Sequence, residues 1–176
     1  ELLFYVSYGK NTIILLTMLL FSGIGFAQES NNGKQLWAKS FLNEKAPELT
    51  VETWISKKPD TEGKFVIIDF WATWCGPCRK AIPELNEIAK EFSKDVVVIG
   101  ISDEPVEKIK AMKEPVIEYY YGVDTKKTMD KILEIKGIPH VIIIDPKGIV
   151  RWEGFPLLEN HKLTPEVVKN LIEKYK

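Results

Sequence analysis

The two cysteines of the chain are its only ones, and they stand together as Cys75-Gly76-Pro77-Cys78, where an apolar run gives way to a helical pattern. Phe65, Val66, Ile67 and Ile68 form a short run rich in β-branched residues, which suits a buried strand. A single acid, Asp69, follows the run, and two aromatics, Phe70 and Trp71, come after it. Beyond the motif, Ala81, Ile82, Leu85, Ile88, Ala89 and Phe92 recur at helical spacing and make one apolar face. Pro83 lies inside that pattern and predicts a kink. The stretch therefore reads as strand, turn and helix, with the sulfur pair at the tip of the helix.

That position has a chemical consequence. Two intervening residues let both sulfurs meet across the first helical turn, as a disulfide or as a dithiol. Unpaired backbone N–H groups and the macrodipole at a helix N-terminus favour negative charge, so they favour thiolate over thiol. A free cysteine titrates near about 8.5, and lowering that to about 7 makes roughly half of it nucleophilic thiolate at neutral pH. Pro77 fixes φ and lacks an N–H, which the first turn tolerates.

The stretch DFWATWCGPC resembles the active-site signature of the thioredoxin superfamily, and Gly137-Ile138-Pro139 resembles the loop whose proline is cis in that superfamily and faces the disulfide. A secretion signal and a long insert before that loop look more like the exported TlpA/ResA branch. The resemblance covers residues 46–176. It implies an α/β fold, a thioredoxin-like three-layer α/β/α sandwich with a central mixed sheet. It implies Cys75 as attacking thiolate, Cys78 as resolving thiol and Asp69 as the acid beneath Cys78. Trp74, Gly76, Pro77, Ile138 and Pro139 then form the surface where an extended client peptide docks, adding to the loop like an extra strand. Asp69 also has a reading from the residues alone: a carboxylate in a buried strand takes up a proton unless it is paired.

Two departures from the family pattern bear on redox tuning. Members close to ResA carry an acid three residues past the second cysteine, where this chain has Ala81. Thioredoxin has a lysine near the buried acid on the next strand, and Val96–Ser102 contains none.

The implied activity is thiol–disulfide exchange, reducing protein disulfides in the periplasm, with the Cys75–Cys78 disulfide in place of any bound cofactor. Its partners are disulfide-containing client proteins and an upstream membrane or soluble electron donor, and the expected state is a monomer. A disulfide oxidase or isomerase would use the same residues. A second class is a metal module in which Cys75 and Cys78 join His140, but a closed zinc site needs four ligands. The chain has two cysteines and two histidines, and His161 falls in a distant loop. His140 itself reads more readily as a packed histidine. Arg79 stands where haem attachment needs histidine. A peroxidase would need a cysteine outside the pair.

Elsewhere the 176 residues read as one domain with an appendage. A formal net charge of −1 gives no electrostatic case for nucleic-acid binding. Lys10, the apolar run Ile13–Phe21 and Gly25-Phe26-Ala27 predict a signal peptide over residues 1–27, cleaved before Gln28. The run falls short of the roughly 20 residues that span a bilayer, so stable insertion is not expected, though an uncleaved segment would leave a membrane anchor. Residues 28–45 read as a linker and arm, and Leu36–Phe41 is apolar enough to dock on the domain.

The remaining pattern predicts a leading strand in Glu48–Ile55, a loop over Lys57–Lys64 and a buried strand in Asp95–Ser102. A charged helix over Asp103–Lys113 follows, then a strand in Glu114–Gly122 whose Tyr119, Tyr120 and Tyr121 mark a half-buried edge. A helix capped by Thr125 should run to Ile135 and end at Gly137. The turn Asp145-Pro146-Lys147-Gly148 predicts a hairpin between His140–Ile144 and Ile149–Glu153. After a loop over Gly154–Lys162, Thr164-Pro165-Glu166 begins a last helix.

Overall fold

Among the described residues, six strands and four α-helices build the domain. The structure, a computed structural model, describes residues 36–176. The expected signal peptide and the first part of the linker lie outside the described residues. The strands are β1 (Thr53–Trp54), β2 (Phe65–Phe70), β3 (Val96–Ser102), β4 (Tyr120–Val123), β5 (His140–Ile144) and β6 (Val150–Gly154). The helices are α1 (Gly76–Glu91), α2 (Val106–Ala111), α3 (Thr128–Leu133) and α4 (Pro165–Tyr175).

The strands form one mixed sheet in the order β1-β4-β3-β2-β5-β6. β2, β3 and β4 run parallel, because α1 and α2 carry the chain back between them. β5 and β6 are antiparallel, joined by the expected turn: Gly148 donates its N–H to Asp145 O at 2.8 Å and takes φ +79°, which glycine adopts without a steric penalty. Side chains alternate across the sheet. On one face Phe65, Ile67, Trp71 and Val141 pack with Ile82, Leu85 and Ile88 of α1 and Val168 of α4. On the other, Ile68, Phe70 and Ile142 pack with Met129 and Leu133 of α3 and with Phe41 of the arm. Each fully buried Ile or Leu stabilises the domain by about 1.5–3 kcal/mol. Helices therefore cover both faces, the expected three-layer sandwich.

The arm is held by backbone hydrogen bonds, from Lys39 N to Leu133 O at 2.8 Å and from Lys136 N to Trp37 O at 2.7 Å. The buried Glu153 carboxylate accepts from Ser40 Oγ and from Phe41 N. Among the described residues no helix is long and apolar enough to cross a membrane.

Several boundaries differ from the sequence pattern. The leading strand shrinks to Thr53–Trp54, the second charged helix to Val106–Ala111, and the strand expected in Glu114–Gly122 begins only at Tyr120. Thr125 does not cap α3, because its hydroxyl and amide donate to Glu52 at 2.6 and 3.0 Å. Asp124 Oδ2 takes up the Met129 N–H instead, and α3 is six residues long. β4 is not an edge: β1 pairs with its outer side. Tyr119, expected half-buried, is only 5% exposed. α1 continues through Pro83, and α4 begins as expected with Thr164 Oγ1 accepting from Val167 N at 3.3 Å.

Candidate active site

Cys75 is the N-cap of α1, and the helix proper starts at Gly76. Its sulfur accepts the Cys78 N–H at 3.1 Å, one of the donors that the first turn leaves without a backbone acceptor. The two cysteines are joined as a disulfide with Cα atoms 5.2 Å apart. No acid stands in the first turn of α1, so the positive end of the helix acts on the sulfur alone. Cys75 is 3% exposed and Cys78 fully covered, so Cys75 is the sulfur an incoming disulfide reaches first. Gly76 and Pro77 are exposed beside them, and Trp74 is 68% exposed, a large apolar side chain standing in solvent next to Cys75.

The loop before the helix is fixed from the turn that leads into α2. Glu104 accepts hydrogen bonds from Thr73 N at 2.5 Å and Thr73 Oγ1 at 2.9 Å, and pairs with Lys108 Nζ at 2.6 Å. Burial works to raise the Glu104 carboxyl, but Lys108 and the Thr73 donors outweigh it and hold it below the usual range. Sequence reasoning missed this residue, which looked like part of a solvated charged helix.

Ile138–Pro139 is a cis peptide, as the resemblance implied. β5 pairs antiparallel with β2, with His140 opposite Phe70, so the proline loop and the loop carrying the cysteines occupy the same end of adjacent strands. Ile138 is partly buried and packs against the cluster that contains Cys75 and Cys78. His140 is fully buried, with its ring 6.2 Å from that of Phe70. It therefore faces the side of the sheet away from the cysteines. His161 stacks on Trp152 at 4.7 Å. Among the described residues no three His, Cys, Asp or Glu side chains are grouped to hold a metal ion.

Asp69 is fully buried, and the β2 alternation puts it on the face that carries α1 and the disulfide. Burial pushes its carboxyl up to about 7, against the opposing pull of a hydrogen bond from the Tyr119 hydroxyl at 3.1 Å. Its other oxygen has no hydrogen-bond partner among the described residues. The residue opposite Asp69 on β3 is Gly100, so the place a lysine would approach from is empty of side chain. Tyr119 and Trp71 fill it: a Cβ on Gly100 would meet the Trp71 indole nitrogen at 3.0 Å and the Tyr119 ring at 3.1 Å. Ala81 is buried at 1% exposure, so the position three past Cys78 supplies no acid here.

A model of the AhpC/TSA family matches residues 42–153. The chain is similar to the thiol-disulfide oxidoreductase ResA of Bacillus subtilis, 26% identical over 60% of this chain and 62% of that relative. It is 27% identical to the thiol:disulfide interchange protein HelX of Rhodobacter capsulatus, over 83% of this chain and 86% of HelX. Among solved structures, the thioredoxin domain of a thiol-disulfide oxidoreductase from Bacteroides vulgatus superposes with a TM-score of 0.59 at 26% identity, covering 76% of this chain and 96% of that one.

Proposed function

Since the chain belongs to the AhpC/TSA family, with thiol–disulfide oxidoreductases of thioredoxin-like fold as its relatives, we propose that it is a reductant of protein disulfides acting outside the cytosol. The observation that carries this reading is the Cys75 sulfur at the α1 N-terminus, accepting the Cys78 N–H on the face of the sheet that buries Asp69. In the reduced protein the same N–H and the helix dipole stabilise a Cys75 thiolate.

The thiolate attacks one sulfur of a client disulfide, and the other client sulfur leaves with the bonding pair. Asp69 then takes the proton of Cys78. The Cys78 thiolate attacks Cys75, the second client sulfur leaves, and the protein ends as the Cys75–Cys78 disulfide. Two electrons have moved from the dithiol to the client, so the chemistry needs no bound cofactor beyond the cysteines. An upstream thiol donor in the membrane or in solution returns the electrons. Trp74, Gly76 and Pro77, with Ile138 and Pro139, make the docking surface, and the protein works as a monomer. Export through residues 1–27 places it where disulfides persist, in the periplasm. Sequencing the N-terminus of the exported protein tests this, with Gln28 expected first.

Replacing Cys78 with Ser leaves the first attack intact and removes the second, so client proteins should accumulate on Cys75 as mixed disulfides. Full turnover by that variant would refute the scheme. Direction is read from the reduction potential by equilibration with glutathione. A value below about −200 mV fits a reductant, and a value near about −120 mV makes the protein a disulfide donor.

A further inference from the structure

Tyr119 lies outside every motif, yet among the described residues its hydroxyl makes the single hydrogen bond to the Asp69 side chain. The contact depends on three features. Gly100 stands on β3 directly opposite Asp69, and the Tyr119 ring lies so close over it that a Cβ there would come within 3.1 Å. The segment leading into Tyr119 is tied to the helix that carries the cysteines: Asn86 of α1 donates to Val116 O at 2.9 Å and accepts the Glu118 N–H at 2.9 Å. Arg79, next to Cys78, donates to Glu114 O at 2.7 Å. Finally, the phenol is buried, so in this site it donates and does not ionise: burial, then the neighbouring Asp69 charge, hold it well above the usual phenol range.

Resting on the reading of Asp69 as the base for Cys78, we infer that Tyr119 is a positioning residue of the resolving step, its O–H fixing the carboxylate that receives the Cys78 proton. In this chain it stands in for the lysine that the neighbouring strand lacks, as a neutral donor in place of a cation. Few other groups compete. Asp69 lies opposite Gly100 of β3 and Val141 of β5, on the face of the sheet whose apolar cluster includes Cys75 and Cys78. Burial raises the Asp69 carboxyl and the Tyr119 hydrogen bond lowers it. A hydrogen bond to the ionised form makes that form easier to reach, so Tyr119 keeps Asp69 available as a base near neutral pH.

The step balances without another reactant. In the mixed disulfide the Cys78 S–H bond breaks and its proton goes to Asp69. The Cys78 sulfur then bonds to Cys75, and the client sulfur departs with the electron pair of the broken bond.

Single-turnover reaction of the reduced protein with dithionitrobenzoic acid separates the two halves, because each released thiolate is coloured. The first release reports Cys75 attack and the second reports resolution by Cys78. Tyr119→Phe keeps the ring in the Gly100 space and removes the donor. The midpoint of the second release should rise by about one pH unit, slowing it about fivefold at pH 7, with the midpoint of the first release unchanged. Fluorotyrosine at position 119, a stronger donor of nearly the same shape, should move the second midpoint down, which a purely structural role would not do. A second midpoint that stays in place in either variant overturns the inference. Asp69→Asn is the separate control: it should abolish the ionisation near pH 7 in the second release. If that variant keeps the native midpoint, the assignment of Asp69 as base fails, whatever Tyr119 does.

Discussion

The Glu104 carboxylate receives both the amide and the hydroxyl of Thr73, 31 residues earlier in the chain and two before Cys75. Cys75 is thus positioned from two sides, by its own helix and by the turn that opens α2. Glu104→Gln keeps the shape but replaces charge-assisted hydrogen bonds with neutral ones and removes the pairing with Lys108. It should cost about 1–2 kcal/mol of stability at neutral pH. Because the folded-state carboxyl is lowered, the native advantage exists above the unfolded value, about 4.3, and fades as pH falls through the folded one. Thermal melts of both proteins should therefore converge in acid. Client kcat/KM should drop several-fold, while the pH midpoint of resolution stays where it is; a shifted midpoint would mean Glu104 acts on the proton chemistry.

Asp69 has the opposite sign. Its carboxyl titrates near 7 in the folded protein against about 3.9 in the unfolded chain. Below about 4 both states are neutral, and Asp69 costs no stability through ionisation. Between about 4 and 7 the folded state holds the extra proton, so stability falls as pH rises, and above 7 the full penalty applies. That penalty is on the order of 4 kcal/mol. Asp69→Asn should accordingly raise the Tm of the oxidised protein at pH 8, with the gain shrinking towards pH 5. A gain equal at both values would show that the acid is not buried in solution.

Trp74 makes no contribution to the core, being 68% exposed. Trp74→Ala should leave Tm within about a degree, since surface changes stay within about 0.5 kcal/mol. It should raise KM for protein clients by about tenfold, the scale of a lost aromatic contact at a docking surface, with little effect on kcat. Reaction with a small disulfide should be unaffected. Equal loss on small and protein disulfides would move Trp74 from docking to chemistry.

The strong periodicities carried the fold. β2, β3 and β5 are each built on an apolar run of four or more residues, and α1 and α4 have single apolar faces, so both their existence and their type were legible. The sulfur pair was legible because its chemistry is local, fixed by a spacing of three and by the helix that follows. Tyr119 was not, because its contact with Asp69 spans 50 residues and depends on the space that Gly100 leaves in β3. A tyrosine among tyrosines carries no local mark of that. Glu104 sits between Asp103 and Pro105 in a charged stretch, and only the turn of the chain after β3 buries it under Thr73. Thr125 shows the same limit from the other side: its sequence position suited a helix cap, and a distant acid, Glu52, took its hydroxyl instead.

The most direct test is the pH dependence of alkylation of the reduced protein, with the modified cysteine identified by mass. If the helix N-terminus activates the outer sulfur, Cys75 should react with a midpoint near pH 7, about 1.5 units below a free thiol, and Cys78 should remain protected beneath it. Equal reaction of both cysteines, each with a midpoint near about 8.5, would contradict the account.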